Sequence, residues 1–252
     1  MRIILRCIRS SGMRFTKAAM LVVAVISGSM ATDAATPIRV VRERFANSKA
    51  IKLDLEAQEQ IMKGDLQTAE RTLNEALQAD PTLWLTYYMR ARLLNRQRKY
   101  NLAIQDCNQV LVKYPKFCEA ALLRAEANAN LGRYADSLKE LDHVVRIRPG
   151  LESYARALTQ RAWFRSSCPD SSFRNGQQAM QDAKVACKLT NWKDATAIDT
   201  LAAACAELGD FDSAVRYGEQ AIGAAEPSSL ELKRCQQHQV LFKQHRPLRF
   251  SS

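Results

Sequence analysis

The stretch GDLQTAERTLNEALQADP, residues 64–81, opens on a glycine–aspartate pair, carries alanines at 69 and 76 on one helical face, and stops at Pro81. A proline there cannot continue a helix, so the chain must turn back. The same order of turn, helix and proline returns as RKYNLAIQDCNQVLVKYP at 98–115, GRYADSLKELDHVVRIRP at 132–149 and GDFDSAVRYGEQAIGAAEP at 209–227. Projected outward onto a 34-residue unit, these segments place unit starts at Ala50, Trp84, Cys118, Glu152 and Ala195, separated by 34, 34, 34 and 43 residues. Each unit then holds two amphipathic helices, which cannot bury their apolar faces alone and must stack on their neighbours.

Composition agrees with an all-helical chain. Of 252 residues only 9 are Gly and 7 are Pro, while helix formers abound. Of the formal charge of +11, nearly half lies at the start: five cations (Arg2, Arg6, Arg9, Arg14, Lys17) and no acid stand in the first thirty-one residues, which leaves 32 basic against 26 acidic residues beyond them. That remainder is an ordinary solubility charge, without the clustered basic stripe of a nucleic-acid binder.

The repeat frame resembles the tetratricopeptide repeat (TPR) family, which sets small residues at positions 8, 20 and 27 of each unit. Position 8 is Ala57, Ala91, Ala125, Thr159 and Ala202; position 20 is Ala69, Ala103, Ser137 and Ala214; position 27 is Ala76, Val110, Val144 and Ala221. The family's late proline is matched by Pro81, Pro115, Pro149 and, one residue on, Pro227. The resemblance implies an all-α, right-handed solenoid of about five TPR helix pairs over 50–227, followed by a C-terminal capping helix and basic tail over 228–252. Glu56 and Gln60 stand where the family has bulkier inward residues, as expected of a weakened terminal unit. Unit four carries an insertion, CPDSSFRN at 168–175, rich in turn formers. Together with AWFRSSCPD and the closing LFKQHRPLR, this insertion looks like a bacterial TPR subgroup in which such units accompany signalling domains.

Ahead of the repeats, residues 13–31 read MRFTKAAMLVVAVISGSMA: a basic stretch, an apolar run from Ala18 to Ile26, then small residues. This is the pattern of a secretory signal peptide over 1–31, with cleavage expected after Ala31 or, as second choice, Ala34; the alternative is an uncleaved N-terminal anchor. The apolar run is shorter than the roughly 20 residues of a membrane-spanning helix, so no stable span is expected once the signal is removed. The long lead before the run makes Met13 an alternative start. Residues 32–49 read as a tether, and the chain as an exported protein of the periplasm or cell envelope, with secretion as the alternative.

Function is expected on the first helix of each unit, where positions 2, 5, 9, 12 and 13 form one stripe. By resemblance these line the concave groove: Leu85, Tyr88, Arg92, Asn95 and Arg96 in unit two; Glu119, Leu122, Glu126, Ala129 and Asn130 in unit three; Ser153, Arg156, Gln160, Trp163 and Phe164 in unit four. Tyr88, Arg92, Asn95, Arg96 and Arg156 are the candidate peptide-binding residues, since guanidinium and amide groups pair with carboxylates and peptide backbone. The expected partner is a protein or an acidic peptide segment. The alternative is a solvated face without a ligand, and a second alternative is a self-occluded module whose C-terminal helix fills the groove. Trp163 and Phe164 also suit anchoring of the inserted loop as core. Asp54 and Gln58 stand where the chaperone-tail binders of the family use other residues, which argues against that particular activity.

Chemistry finds little support in the sequence. His143, His238 and His245 stand in no nucleophile or metal motif, no phosphate loop or zinc spacing occurs, and Asp182 and Glu207 read as exposed helix carboxylates. No cofactor is expected. Six cysteines follow the signal, an even count that invites disulfides in an exported chain. Cys107 and Cys205 fall at buried repeat positions; Cys168 and Cys187, both in unit four, are the pair whose bond would pin the insertion, if their separation allows.

Overall fold

The computed structural model describes residues 49–250. The signal segment with its cleavage sites and Met13, and the expected tether up to residue 48, lie outside the described residues. The described residues form eleven α-helices and one short 3-10 turn, with no strand. In order these are α1 (Lys49–Met62), α2 (Leu66–Ala79), α3 (Trp84–Arg96), α4 (Tyr100–Lys113), α5 (Cys118–Asn130), α6 (Tyr134–Ile147), α7 (Leu151–Ser167), the 3-10 turn Ser171–Phe173, α8 (Gly176–Leu189), α9 (Ala195–Glu207), α10 (Phe211–Ala224) and α11 (Leu230–Lys243). Helix α1 already includes Lys49, the last residue of the expected tether.

The glycine-led motif explains where four first helices stop. Gly64, Gly132 and Gly209 adopt left-handed backbone (φ 81°, 73° and 81°), and Arg98 takes the same conformation at φ 61° in unit two. In each turn the following amide reaches back to the helix: Asp65 to Gln60, Lys99 to Leu94, Arg133 to Asn128 and Asp210 to Cys205. This pairing satisfies carbonyls that a helix end otherwise orphans. The next helix starts at once, and in units one and five Asp65 and Asp210 cap it by accepting from the Thr68 and Ser213 amides.

The chain divides into two compact units inside α5, after Ala127. In the first, α1 packs on α2, α2 on α3, and α3 on α4. Its core joins Ala57, Ala69, Leu73, Met89 and Leu93, with Ala91, Cys107 and Leu123 forming a second cluster. The alanines at the close-packed positions, Ala57, Ala69, Ala91 and Ala103, are sealed from solvent, which is what lets backbones approach.

In the second unit α6 packs on α7, α7 on α8 and α9, α8 on α9, α9 on α10, and α11 on α10 and α9. Small residues again fill the contacts: Ala162, Ala179, Ala183, Ala186, Ala202, Ala214 and Ala221 are wholly buried. Here the 34-residue frame needs correction. Arg161, rather than the residue 34 after Arg124, makes the inter-helix contacts that Arg90 makes in unit two, so the first helix of unit four runs three residues out of step. Ala162 therefore takes the close-packed place assigned to Thr159. The extra length ends at Ser167, after which residues 168–175 connect to α8 through the 3-10 turn.

Candidate protein-binding surface

On α3 the spacing of Tyr88, Arg92, Asn95 and Arg96 sets them along one stripe of the helix. Tyr88 is half-buried and its ring meets Phe117 edge-on at 5.1 Å; Phe117 meets Trp84 at 5.1 Å, and Trp84 meets Tyr114 at 4.9 Å. This run of rings fixes Tyr88 in place, since edge-to-face contacts at such distances are favourable. The Arg92 guanidinium lies 5.9 Å from the Tyr88 ring centre, and Arg92 and Arg96 are both exposed. Asn95 bonds through its side chain to the Glu126 carboxylate on α5, and so is partly committed within the protein.

Two other stripe positions belong to the core. Leu85 packs against the first cluster, and Leu122 is buried. Phe164 is likewise buried, set among Tyr134, Phe173 and Phe250, and so takes the second of its two expected roles, anchoring the insertion. Arg156, in the second unit, is exposed and reaches Glu152 one helical turn back at 3.5 Å, a solvated i,i+4 pair.

Sequence reading missed the arginines that face inward. Arg90 sends Nε and Nη2 to the two oxygens of Asp106, both at 2.7 Å, and Nη1 to Asn74 at 2.7 Å, tying α4 and α2 to α3. Arg124, 34 residues on, donates to Asn108 at 2.6 Å. Arg161 repeats the clamp with Asp182 and Asp142. The signal in the sequence was the Arg90–Arg124 spacing of one repeat, with an acidic or amide residue sixteen positions before or after. Asp182 and Glu207 are accordingly not exposed carboxylates: Asp182 is buried against Arg161, and half-buried Glu207 receives Arg174 and Arg249.

The histidine in the last helix was also missed. His238 Nδ1 lies 2.7 Å from Asp199 Oδ2, its ring stacks on Trp163 at 5.4 Å, and Arg234 approaches the same carboxylate at 3.9 Å. Beside them Thr196 Oγ1 donates to Glu231 and accepts from Arg234. Asp199 is buried, so His238 and Arg234 supply the compensation that a buried carboxylate requires. In the first unit Asp54 of α1 accepts from Thr86 of α3 at 2.8 Å, and desolvation pushes its carboxyl up to about 6 despite that bond.

No bond joins Cys168 and Cys187, the possible disulfide pair. Both are buried free thiols, as are Cys107, Cys118, Cys205 and Cys235. Cys187 lies on the face of α8 that carries Ala183 and Ala186, and desolvation pushes its thiol up to about 12; burial also raises Cys168, the residue that caps α7. A suppressed thiolate is a poor partner for disulfide exchange. Among the described residues no group of His, Cys, Asp and Glu is arranged to hold a metal, and no helix is long and apolar enough to cross a membrane.

Comparison with known proteins places this fold among TPR structures. TTC0263, a TPR protein of Thermus thermophilus, is 18% identical with a TM-score of 0.59 over 76% of this chain and 100% of its own. A TPR protein from Parabacteroides merdae gives 16% and 0.58 over 83% and 78%, and MamA of Desulfovibrio magneticus RS-1 gives 17% and 0.54 over 75% and 98%. Among curated proteins, the tetratricopeptide repeat and J domain-containing co-chaperone DNJ1 of Cryptococcus neoformans is 32% identical over 93 residues, 37% of this chain. The matched part spans only 18% of that relative's length. No family model matches the chain.

Proposed function

We propose that this chain is a non-catalytic protein-interaction module, and that its first unit binds an acidic peptide segment along α3. The observation that carries the reading is the contrast between neighbouring arginines. Arg90 is committed to Asp106 and Asn74, whereas Arg92 and Arg96 are exposed beside a tyrosine held rigid by Phe117. A fixed aromatic edge with two exposed guanidinium groups suits a peptide that offers carboxylates and an apolar side chain. The repeat fold shared with TPR proteins supports the same class of function. The N-terminal signal pattern supports export of the module to the periplasm or cell envelope.

The test is fluorescence anisotropy against a panel of acidic peptides with the chain from Thr32 onward, in parallel with an Arg92→Ala/Arg96→Ala version. A tenfold or greater loss of affinity in the double variant, at unchanged melting temperature, supports the reading. Equal binding by both proteins removes α3 from the working surface.

A second reading rests on a separate observation. Glu231, Arg234 and His238 of α11 engage Thr196 and Asp199, positions 2 and 5 of the fifth repeat, and Trp163 of the fourth. By repeat position these are ligand-facing places, so α11 covers part of the second unit's own surface until displaced. Replacing Arg234 and His238 by alanine should then increase partner binding; unchanged binding rejects occlusion.

A further inference from the structure

Beyond α11 the chain does not stop at the helix it has completed. His245 turns it with φ 55° and stacks on Phe211 at 5.0 Å, and residues 246–250 return as an irregular tail to the far end of α7. There the Phe250 amide donates to the Ser167 carbonyl at 3.0 Å, and Arg249 donates to the Ser166 carbonyl at 3.4 Å. Arg249 also meets Glu207 Oε2 at 2.7 Å. The Phe250 ring lies 6.1 Å from Tyr134 and 6.0 Å from Phe164, and Leu248 is buried.

The seat that receives this tail holds itself together through bonds the tail does not make. Tyr134, Phe164 and Phe173 contact one another at 5.8 to 6.3 Å. Arg174 Nε donates to Glu207 Oε1 at 2.9 Å and its Nη1 to the Cys168 and Pro169 carbonyls at 2.9 and 3.0 Å, while the Asn175 amide donates to Arg165 O at 2.8 Å. The insertion at 168–175 thus builds one wall of a formed cleft. Each feature of that cleft reads one feature of the tail. Of the carbonyls at the end of α7, which a helix leaves without intrahelical partners, that of Ser167 takes the tail backbone and that of Ser166 takes the Arg249 guanidinium. The second oxygen of Glu207 takes a guanidinium, and the three rings take an aromatic side chain. The tail is reached through exposed residues 243–247 and adds no helix of its own.

We propose that this cleft is a second peptide-recognition site, specific for an extended leucine–arginine–phenylalanine segment, and that the chain's own tail is its resident, displaceable occupant. The site uses none of the α3 stripe and does not rest on the function assigned to it. It also gives the insertion a role, as the wall that makes the end of α7 selective.

The test uses the full chain with Leu248→Ser and Phe250→Ser, which vacates the seat without shortening the protein. The probe is a fluorescein-labelled hexapeptide of residues 247–252. Saturable binding to the double variant, at least tenfold weaker binding to the wild-type chain, and a comparable loss when the peptide's arginine is replaced by glutamate are the expected results. A variant that melts cooperatively yet binds no peptide, or binds both peptides alike, overturns the proposal. Hydrogen exchange on the wild-type chain decides independently, including where the variant fails to fold. The Phe250 amide should exchange through an opening at least tenfold more frequent than that of the α9 core amides. Exchange of Phe250 only together with α9 would make the tail integral core and reject the site.

Discussion

Arg161 and Asp182 face each other through two parallel bonds, Nε to Oδ2 and Nη2 to Oδ1, each 2.8 Å, with both side chains largely withdrawn from water. The same guanidinium reaches Asp142 at 2.9 Å, so one residue of α7 holds α6 and α8 together. Removing Asp182 takes the two-bonded partner from a largely buried guanidinium and leaves it the single bond to Asp142. Asp182→Ala should therefore destabilise the protein by about 3 kcal/mol, whereas Glu152→Ala, which removes only the exposed contact with Arg156, should cost under about 0.5 kcal/mol. Urea denaturation of the two variants checks the ranking.

Asp54 gives the protein a predictable pH dependence. Its folded carboxyl titrates near 6 against an ordinary value of 3.8, chiefly because it is desolvated. The folded state then holds its proton more tightly than the unfolded state, so stability falls as pH rises from about 4 to about 6, and the cost stays constant above that. The loss is at most about 3 kcal/mol for a shift of this size. Asp54→Asn, which can still accept from Thr86, should flatten this part of the profile and be more stable than wild type at pH 7.5 but not at pH 4. Parallel pH–melt curves would show no difference in slope if Asp54 were not responsible.

Close helix contacts predict a different kind of sensitivity. A Cβ on Gly218 of α10 would collide with Gln239 Oε1 and lie 3.3 Å from Phe242, both on α11. Gln239 is buried and donates to the Val215 carbonyl, so it cannot yield freely. Gly218→Ala and Ala103→Leu, the latter at a sealed position, should each cost on the order of 1–3 kcal/mol by overpacking. Arg92→Ala should leave the melting temperature nearly unchanged. The reverse order in thermal melts would exchange the assignments of core and surface.

The six thiols of the described residues should be inert in the folded protein. Desolvation lifts Cys187 and Cys235 to about 12 and Cys205 to about 11, and all six are buried. Iodoacetamide at pH 8 should modify none of Cys107, Cys118, Cys168, Cys187, Cys205 and Cys235 until denaturant is added. Mass spectrometry of native digests reads this directly, and rapid labelling of Cys187 would contradict the burial.

The all-helical class was legible in the chain alone, because the alanines of the repeat lie at spacings set by helix geometry and the glycine-led turns are local. Ala57, Ala91, Ala103 and Ala214 could be named as packing residues through the resemblance to the TPR repeat, whose small positions they match, and all four are buried. Tyr88, Arg92 and Arg96 could be named as neighbours on one stripe for the same local reason. Whatever depends on residues far apart in the chain emerged with the packed helices. Arg90 and Arg161 look on the page like Arg92 and Arg156, and their inward role appears only when Asp106 and Asp182 are brought across a helix pair. The three-residue shift in unit four, the burial of Leu122 and Phe164, the pairing of His238 with Asp199, and the return of Phe250 to Ser167 arise in the same way. A 34-residue period specifies how each helix pair is built, but an insertion breaks the period, and polar partners across the break are chosen by packing.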